Sequence, residues 1–220
     1  STDFTSIGAA NNNIGTVFFA TGSGSGSGTA GALNGGQCLG GYINNCVFAS
    51  CEMAVQCKDS CEGILSSNCA VVGVRYGWYF DYGVQLGVLN SHVNVQYTSG
   101  TSACVYVSGI GAADRVDQAM IIGNLFYPDQ ANTNGIKGTF YHSQICNNVF
   151  NSASDGANTT GIDLLSDSQF NSLSNNVFRH MINKGIYLES GTSNNIGSSN
   201  VFDACGTNVS GSGVNGNNVT

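Results

Sequence analysis

Asp163 and Glu189 are the residues of this 220-residue chain whose type and spacing come nearest to carbohydrate chemistry. They sit in two versions of one phrase, GIDL at 161 and GIYL at 185, with Glu189 directly after the second. Setting the phrases in register puts Asp163 beside Tyr187 and Glu189 two positions farther along, within about 8 Å by strand rise and strand spacing. Glycoside hydrolysis needs two carboxylates about 5 to 9.5 Å apart across the bond, so the pair is a candidate catalytic set. Solubilising carboxylates on an outer face are the other reading. For β-elimination the candidate base is Arg179, next to His180 and in one column with Tyr127, Asn151 and Asp203, each directly after a phenylalanine. An Arg179–Asp203 surface ion pair, worth about 0 to 1 kcal/mol, is the alternative there.

Binding chemistry concentrates elsewhere. Tyr76, Trp78, Tyr79, Phe80 and Tyr82 crowd into RYGWYFDYG, flanked or interrupted by Arg75 and Asp81. Strand alternation would bury some of these rings and leave others as a flat platform for sugars; Tyr76, Trp78, Tyr79, Tyr82, Arg75 and Asp81 are therefore the candidate glycan-binding set, against core packing as the ordinary fate of such rings. The three histidines, His92, His142 and His180, form no HExxH, and no GxSxG is present. The glycine run at 22–28 does not meet GxGxxG and reads as a linker or close-packed turn. Six of the nine cysteines lie between Cys38 and Cys69 without CxxC pairs. Small apolar core thiols are the first reading, with disulfides and metal as alternatives. No metal site or cofactor is expected.

The elements that would position these residues are short. NNVF occurs at 147 and 175, and NVF at 200. The asparagine before each apolar pair marks Asn45, Asn68, Asn90, Asn124, Asn148, Asn176 and Asn200, at spacings of 23, 22, 34, 24, 28 and 24. A second mark, glycine before alternating apolar residues, runs through Gly63, Gly83, Gly135, Gly161 and Gly185, with ACVYV at 103 filling the gap. Strands of about four residues bounded by Asn, Ser, Gly and Asp, recurring near every 24, predict an all-β, single-stranded right-handed parallel β-helix with a stacked asparagine ladder at one corner. An antiparallel sandwich would need hairpin turns, and NG or DG pairs occur only irregularly. Residues 1–36 read as an adaptor or cap, 37–205 as the solenoid, and 206–220 as a polar last coil or tail. Open solenoid ends predict self-association, as a trimer or an end-to-end stack.

Only 9% of the residues are charged and the net charge is −7, which excludes an electrostatic nucleic-acid footprint. No apolar run reaches the roughly 18 residues of a membrane span.

The opening TDFTSIGAANNNIGTVFFATGSGSGSGTA, residues 2–30, resembles a module of tailed-phage structural proteins, with the order DFT, IGA, a small polar loop, GTVF, ATG and a Gly-Ser run. It covers about an eighth of the chain. The resemblance implies a virion or extracellular setting, a tail fibre or tailspike, other virion proteins as partners and host-surface polysaccharide as the target. It implies no catalytic residue. The rest of the chain resembles, in architecture, the pectate-lyase-like β-helix group, which includes tailspikes and depolymerases; the paired aspartates of its polygalacturonases are missing, since the sequence contains no DD. A polysaccharide depolymerase and a self-stacking filament subunit are the alternatives to an attachment protein, because a fold alone assigns no function.

Overall fold

A computed structural model describes residues 3–5, 14–19, 38–96, 100–109, 114–152, 158–212 and 214–215. Every strand pairing is parallel, and no helix occurs among the described residues. The chain winds as a β-solenoid of about six turns. Each full coil contributes to three faces. One carries the longer strands Tyr76–Val84, Ser102–Val107, Thr133–Gly138, Thr160–Leu164 and Lys184–Leu188. The second stacks Gly87–Leu89, Met120–Ile122, Gln144–Cys146, Ser172–Ser174 and Asn195–Ser198. The third stacks Val47–Ala49, Ala70–Val74, His92–Val95, Leu125–Pro128, Val149–Asn151, Val177–Arg179 and Val201–Asp203. From the N-terminal segment, Asp3–Thr5 pairs with Val47–Ala49 and Ile14–Phe19 with Met53–Lys58. At the other end Val209–Gly211 and Val214–Asn215 lie on Lys184–Leu188 and Asn195–Ser198, so part of the polar tail forms a last coil. The glycine-serine run at 22–28 lies outside the described residues.

The second and third faces keep a five-residue beat. Residues with positive φ fall at Gln85 and Asn90, at Gln118 and Gly123, at His142 and Asn147, and at Phe170, Asn175 and His180. Between corners the chain runs in, out, in, out: Ser143, Ile145, Asn148 and Phe150 are buried while Gln144 and Asn147 are exposed. A left-handed residue turns the strand through a corner and resets the alternation, so the residue after it again points inward. That conformation costs most L-residues roughly 1–2 kcal/mol, and Gly and Asn much less, which is one reason for so many asparagines.

Inside the next corner stands the ladder. Asn124, Asn148, Asn176 and Asn200 are 0–2% exposed. The Oδ1 of Asn148, Asn176 and Asn200 accepts from the backbone N–H and the side-chain amide of the asparagine one coil before, as in Asn148 N–H to Asn176 Oδ1 (3.0 Å) and Asn148 Nδ2 to Asn176 Oδ1 (3.1 Å). Each Nδ2 also donates to a main-chain carbonyl, as Asn176 does to Ile145 O (2.8 Å). Asn45, Asn68 and Asn90 are not rungs. They are exposed, have φ of 47–55°, and share the neighbouring left-handed column with Gly123, Asn147 and Asn175. Nearer the N-terminus the ladder column continues as Ser91, whose N–H reaches Asn124 Oδ1 (2.8 Å), and Cys69, whose N–H reaches Ser91 Oγ (3.1 Å). A second ladder joins Ser143, Asn171 and Asn195 at the preceding corner.

The core between the faces is apolar. Phe150, Phe178 and Phe202 stack at 4.8 and 5.0 Å with interplanar angles of 7° and 8°. Gly135, Gly161 and Gly185 face these rings across the coil, in contact distance that leaves no room for a Cβ. Gly63 and Gly83 do other work: Gly63 takes φ 68° at a corner, and Gly83 lies against Cys61 O. Cys51, Cys57, Cys61, Cys69 and Cys104 are core residues, and Cys46, Cys69, Cys104, Cys146 and Cys205 are free thiols.

Candidate functional site

On the long-strand face, alternation sends Val55, Trp78, Val105, Ile136, Ile162 and Ile186 inward and the residue after each of them outward. The outward row reads Gln56, Tyr79, Tyr106, Lys137, Asp163, Tyr187 and Ser210, each in register with the one before. Successive members are therefore separated by about 4.8 Å, the strand spacing. Tyr76 joins the row from the side: its ring stacks on Tyr106 at 5.0 Å and meets Tyr79 edge-on at 5.2 Å. Arg75 lies over the Tyr76 ring at 5.1 Å while its Nη1 pairs with Glu52 at 3.0 Å. At the other end Lys184 Nζ sits 3.3 Å from the Tyr187 ring centroid.

The sequence-derived binding set divides here. Tyr79 contributes to the row and Tyr76 supports it, although Tyr76 is only 6% exposed. Trp78 is 0% exposed and belongs to the core, so it is no sugar platform. Gly77 before it is packed against Cys104 O and Val93, with no room for a Cβ, and both residues are buried. Asp81 accepts from Ser108 Oγ (3.0 Å), and Tyr82 is half-buried.

The hydrolysis pair, Asp163 and Glu189, belongs to the long-strand face, and Arg179, the separate candidate for elimination, lies elsewhere. Asp163 does pair in register with Tyr187, but its Oδ2 is held by Lys137 and the residue is 6% exposed. Glu189 starts the next corner, its N–H donating to Leu164 O (2.9 Å). Arg179 is exposed on the third face, a different sheet from Asp163, where it is in register with Asp203. No ion pair between Arg179 and Asp203 is formed among the described residues, so that expectation is corrected as well: two exposed side chains gain too little in water to hold one geometry. Tyr106, Lys137, Tyr187 and Lys184 were not singled out from the sequence. Their signal was present in the phrases GIK, GID and GIY, whose third letters are Lys137, Asp163 and Tyr187.

Burial pushes the Tyr76 hydroxyl up to about 12, with Arg75 opposing and the neighbouring Tyr106 and Tyr79 adding to the rise. Burial likewise raises Tyr106, then Tyr79 adds, while Lys137 and Arg75 pull it down. The fold therefore favours neutral phenols over the unfolded chain, whose tyrosines ionise near pH 10. Stability from these rings should be complete below about pH 10 and fall as pH rises from there towards the raised values. Tyrosinate absorbance should show a late-titrating fraction that shrinks in Tyr76→Phe, with Tyr106 remaining in it; a single wave near pH 10 in the folded protein would contradict it.

Comparison of the chain with protein-family models, with curated proteins and with solved structures finds no match.

Proposed function

We propose that this β-solenoid binds a host-surface polysaccharide along the tyrosine row, as the attachment part of a tailed-phage fibre or spike. The observation that carries the binding reading is the unbroken register of Tyr79, Tyr106, Lys137, Asp163 and Tyr187 on one outer face. Aromatic faces with polar groups between them, repeated at the coil spacing, suit an extended glycan lying along the solenoid axis. The sequence of residues 2–30 supports the virion setting, in which self-association and docking to other virion proteins follow. Binding is favoured over depolymerisation because Lys137 occupies the carboxylate that hydrolysis would require.

On a glycan array the wild type should retain one glycan class, and Tyr79→Ala/Tyr106→Ala should bind it at least about tenfold more weakly, from the loss of roughly 1.4 kcal/mol of ring contact. Melting should change little by comparison with core variants. Unaltered binding by the double variant would remove the row from consideration. Release of reducing ends, abolished in Asp163→Asn, would replace attachment by depolymerisation. An antibody to the chain should label the tails of virus particles.

A further inference from the structure

The first corner carries a second elongated site. A groove of about 490 Å³ follows the solenoid axis between two outward columns. One column is the corner itself: Gly63, Gln85, Gln118 and His142. The other is the start of the second face, in register as Tyr42, Leu65, Gly87, Met120 and Gln144. Four coil steps from Tyr42 to Gln144 make the groove about 19 Å long. Its volume lies within the range of small-molecule sites, about 300–1,000 Å³.

The choice of corner residues is the telling feature. Two neighbouring left-handed columns make the same demand on the backbone. One meets it with Asn45, Asn68, Asn90, Gly123, Asn147 and Asn175, residue types that tolerate positive φ, before ending on Ser199. The groove column has glycine at Gly40 and Gly63 and asparagine at Asn194, but between them it holds Gln85, Gln118, His142 and Phe170, all with φ of 49–56° and all exposed. A bulky residue such as phenylalanine is a genuine outlier in this region, and Phe170 is 46% exposed, so core packing does not account for it. Backbone strain kept at exposed side chains points to what those side chains touch.

What they offer is uncharged. Gln85 Nε2 donates to Gln118 Oε1 (3.3 Å), leaving amide donors and acceptors for a ligand, and Gln144 adds a third amide. Tyr42, 81% exposed, stands at one end. At the other, His142 stacks on Phe170 at 5.4 Å and 26°, and Tyr141 meets Phe170 edge-on at 5.5 Å. Among the described residues that line the groove there is no Asp, Glu, Lys or Arg; His142 Nδ1 lies 3.4 Å from Asp117 Oδ1, and Arg115 lies over the Tyr141 ring at 3.7 Å. An extended peptide would fit poorly. The strands run across the groove and spend their main-chain groups between coils, so the peptide's N–H and C=O groups would find only the glutamine amides. A hydroxyl-rich chain keeps its outward groups in water and needs only amides and ring faces.

We infer that this corner groove binds a neutral linear oligosaccharide, independently of the tyrosine row. Asparagine suits the backbone, draws each glutamine amide back by one methylene, and removes the imidazole of His142 and the ring of Phe170. The variant Gln85→Asn/Gln118→Asn/His142→Asn and the single variant Phe170→Asn should both melt at or above the wild-type temperature. Titration calorimetry would use neutral hexasaccharides of β-1,4-glucose, α-1,4-glucose, β-1,3-glucose and β-1,4-N-acetylglucosamine, with hexagalacturonate as the charged comparison. At least one neutral hexamer should bind the wild type and hexagalacturonate should not compete for it. The triple variant should lose at least tenfold, Phe170→Asn severalfold, and Tyr79→Ala/Tyr106→Ala nothing. No binding by any neutral hexamer overturns the inference, as does binding that survives the triple variant or that hexagalacturonate displaces. Loss in Tyr79→Ala/Tyr106→Ala alone would transfer the sugar to the tyrosine row and leave the attachment reading standing without this site.

Discussion

Asn148→Ala should be among the most damaging single substitutions in this solenoid, costing about 3–6 kcal/mol. The side chain is 0% exposed and makes four hydrogen bonds. It accepts from Asn124 N–H and Asn124 Nδ2 (both 3.0 Å), and donates to Ile121 O (2.8 Å) and Asn176 Oδ1 (3.1 Å). Alanine leaves two donors and two acceptors buried without those partners, each at about 1–3 kcal/mol before relaxation. For a chain of this size that corresponds to a melting temperature lower by about 10 °C or more. Thermal and denaturant melts followed by β-sheet circular dichroism measure it. Asn148→Ser should recover part of the loss, since Ser91 fills the same column and accepts the Cys69 N–H through its hydroxyl. Asn148→Asp should do no better than alanine at neutral pH: a carboxylate can still accept from Asn124, but it faces two more acceptors without a proton to give. Its carboxyl should titrate above the usual range in the fold, so stability should return on acidification. A loss below 1 kcal/mol for alanine would mean the ladder follows the coil geometry without holding it.

The parallel all-β solenoid was legible in the sequence because inward positions repeat in residue type. Phe126, Phe150, Phe178 and Phe202 occupy one column, and the ladder asparagines stand two residues before them. The ladder was misread at Asn45, Asn68 and Asn90 because two adjacent positions favour asparagine for different reasons. In NNVF the first asparagine takes positive φ and the second turns inward to the amide stack. Where only one of the two is Asn, as in SNCA, LNSH or GNLF, the letter does not say which position it fills. The second ladder carried a usable signal: Asn171 and Asn195 stand five residues before Asn176 and Asn200.

The outer face was harder to read because its positions repeat in geometry and not in type. Tyr79, Tyr106, Lys137, Asp163 and Tyr187 share one row with no chemical periodicity, since solvent places no common demand on them. Local aromatic density was a poor guide for the same reason. It drew Trp78 into the binding set, whereas that indole lies in the core. Register, once known, separates the two: the residue after Gly or Cys in each long strand points inward, and the next one outward.

The glycine column sets a second large effect, in Gly161→Ala. A Cβ at Gly161 would lie 2.6 Å from Gly185 O and closer still to the Phe178 ring. Neither neighbour yields easily. Gly185 belongs to the strand of the next coil, and moving its carbonyl strains the pairing of Lys184–Leu188 with Thr160–Leu164. The Phe178 ring is stacked on both sides, by Phe150 at 4.8 Å and Phe202 at 5.0 Å. A coil that carries a side chain in this column indicates how a ring responds. There Cys104 replaces glycine, and Phe126 of that coil is tilted 43° from Phe150 instead of lying parallel. Tilting Phe178 in the same way would break two stacks at once, so alanine should cost about 3 kcal/mol, at the upper end of ordinary overpacking. Gly161→Ala/Phe178→Leu separates the two contacts. A smaller side chain relieves the ring clash and leaves the carbonyl clash, so the double variant should be more stable than the sum of the single losses by about 1 kcal/mol or more. Strict additivity would assign the whole cost to the backbone contact with Gly185, and the column of glycines would then be required by the spacing of the coils and not by the stacked rings.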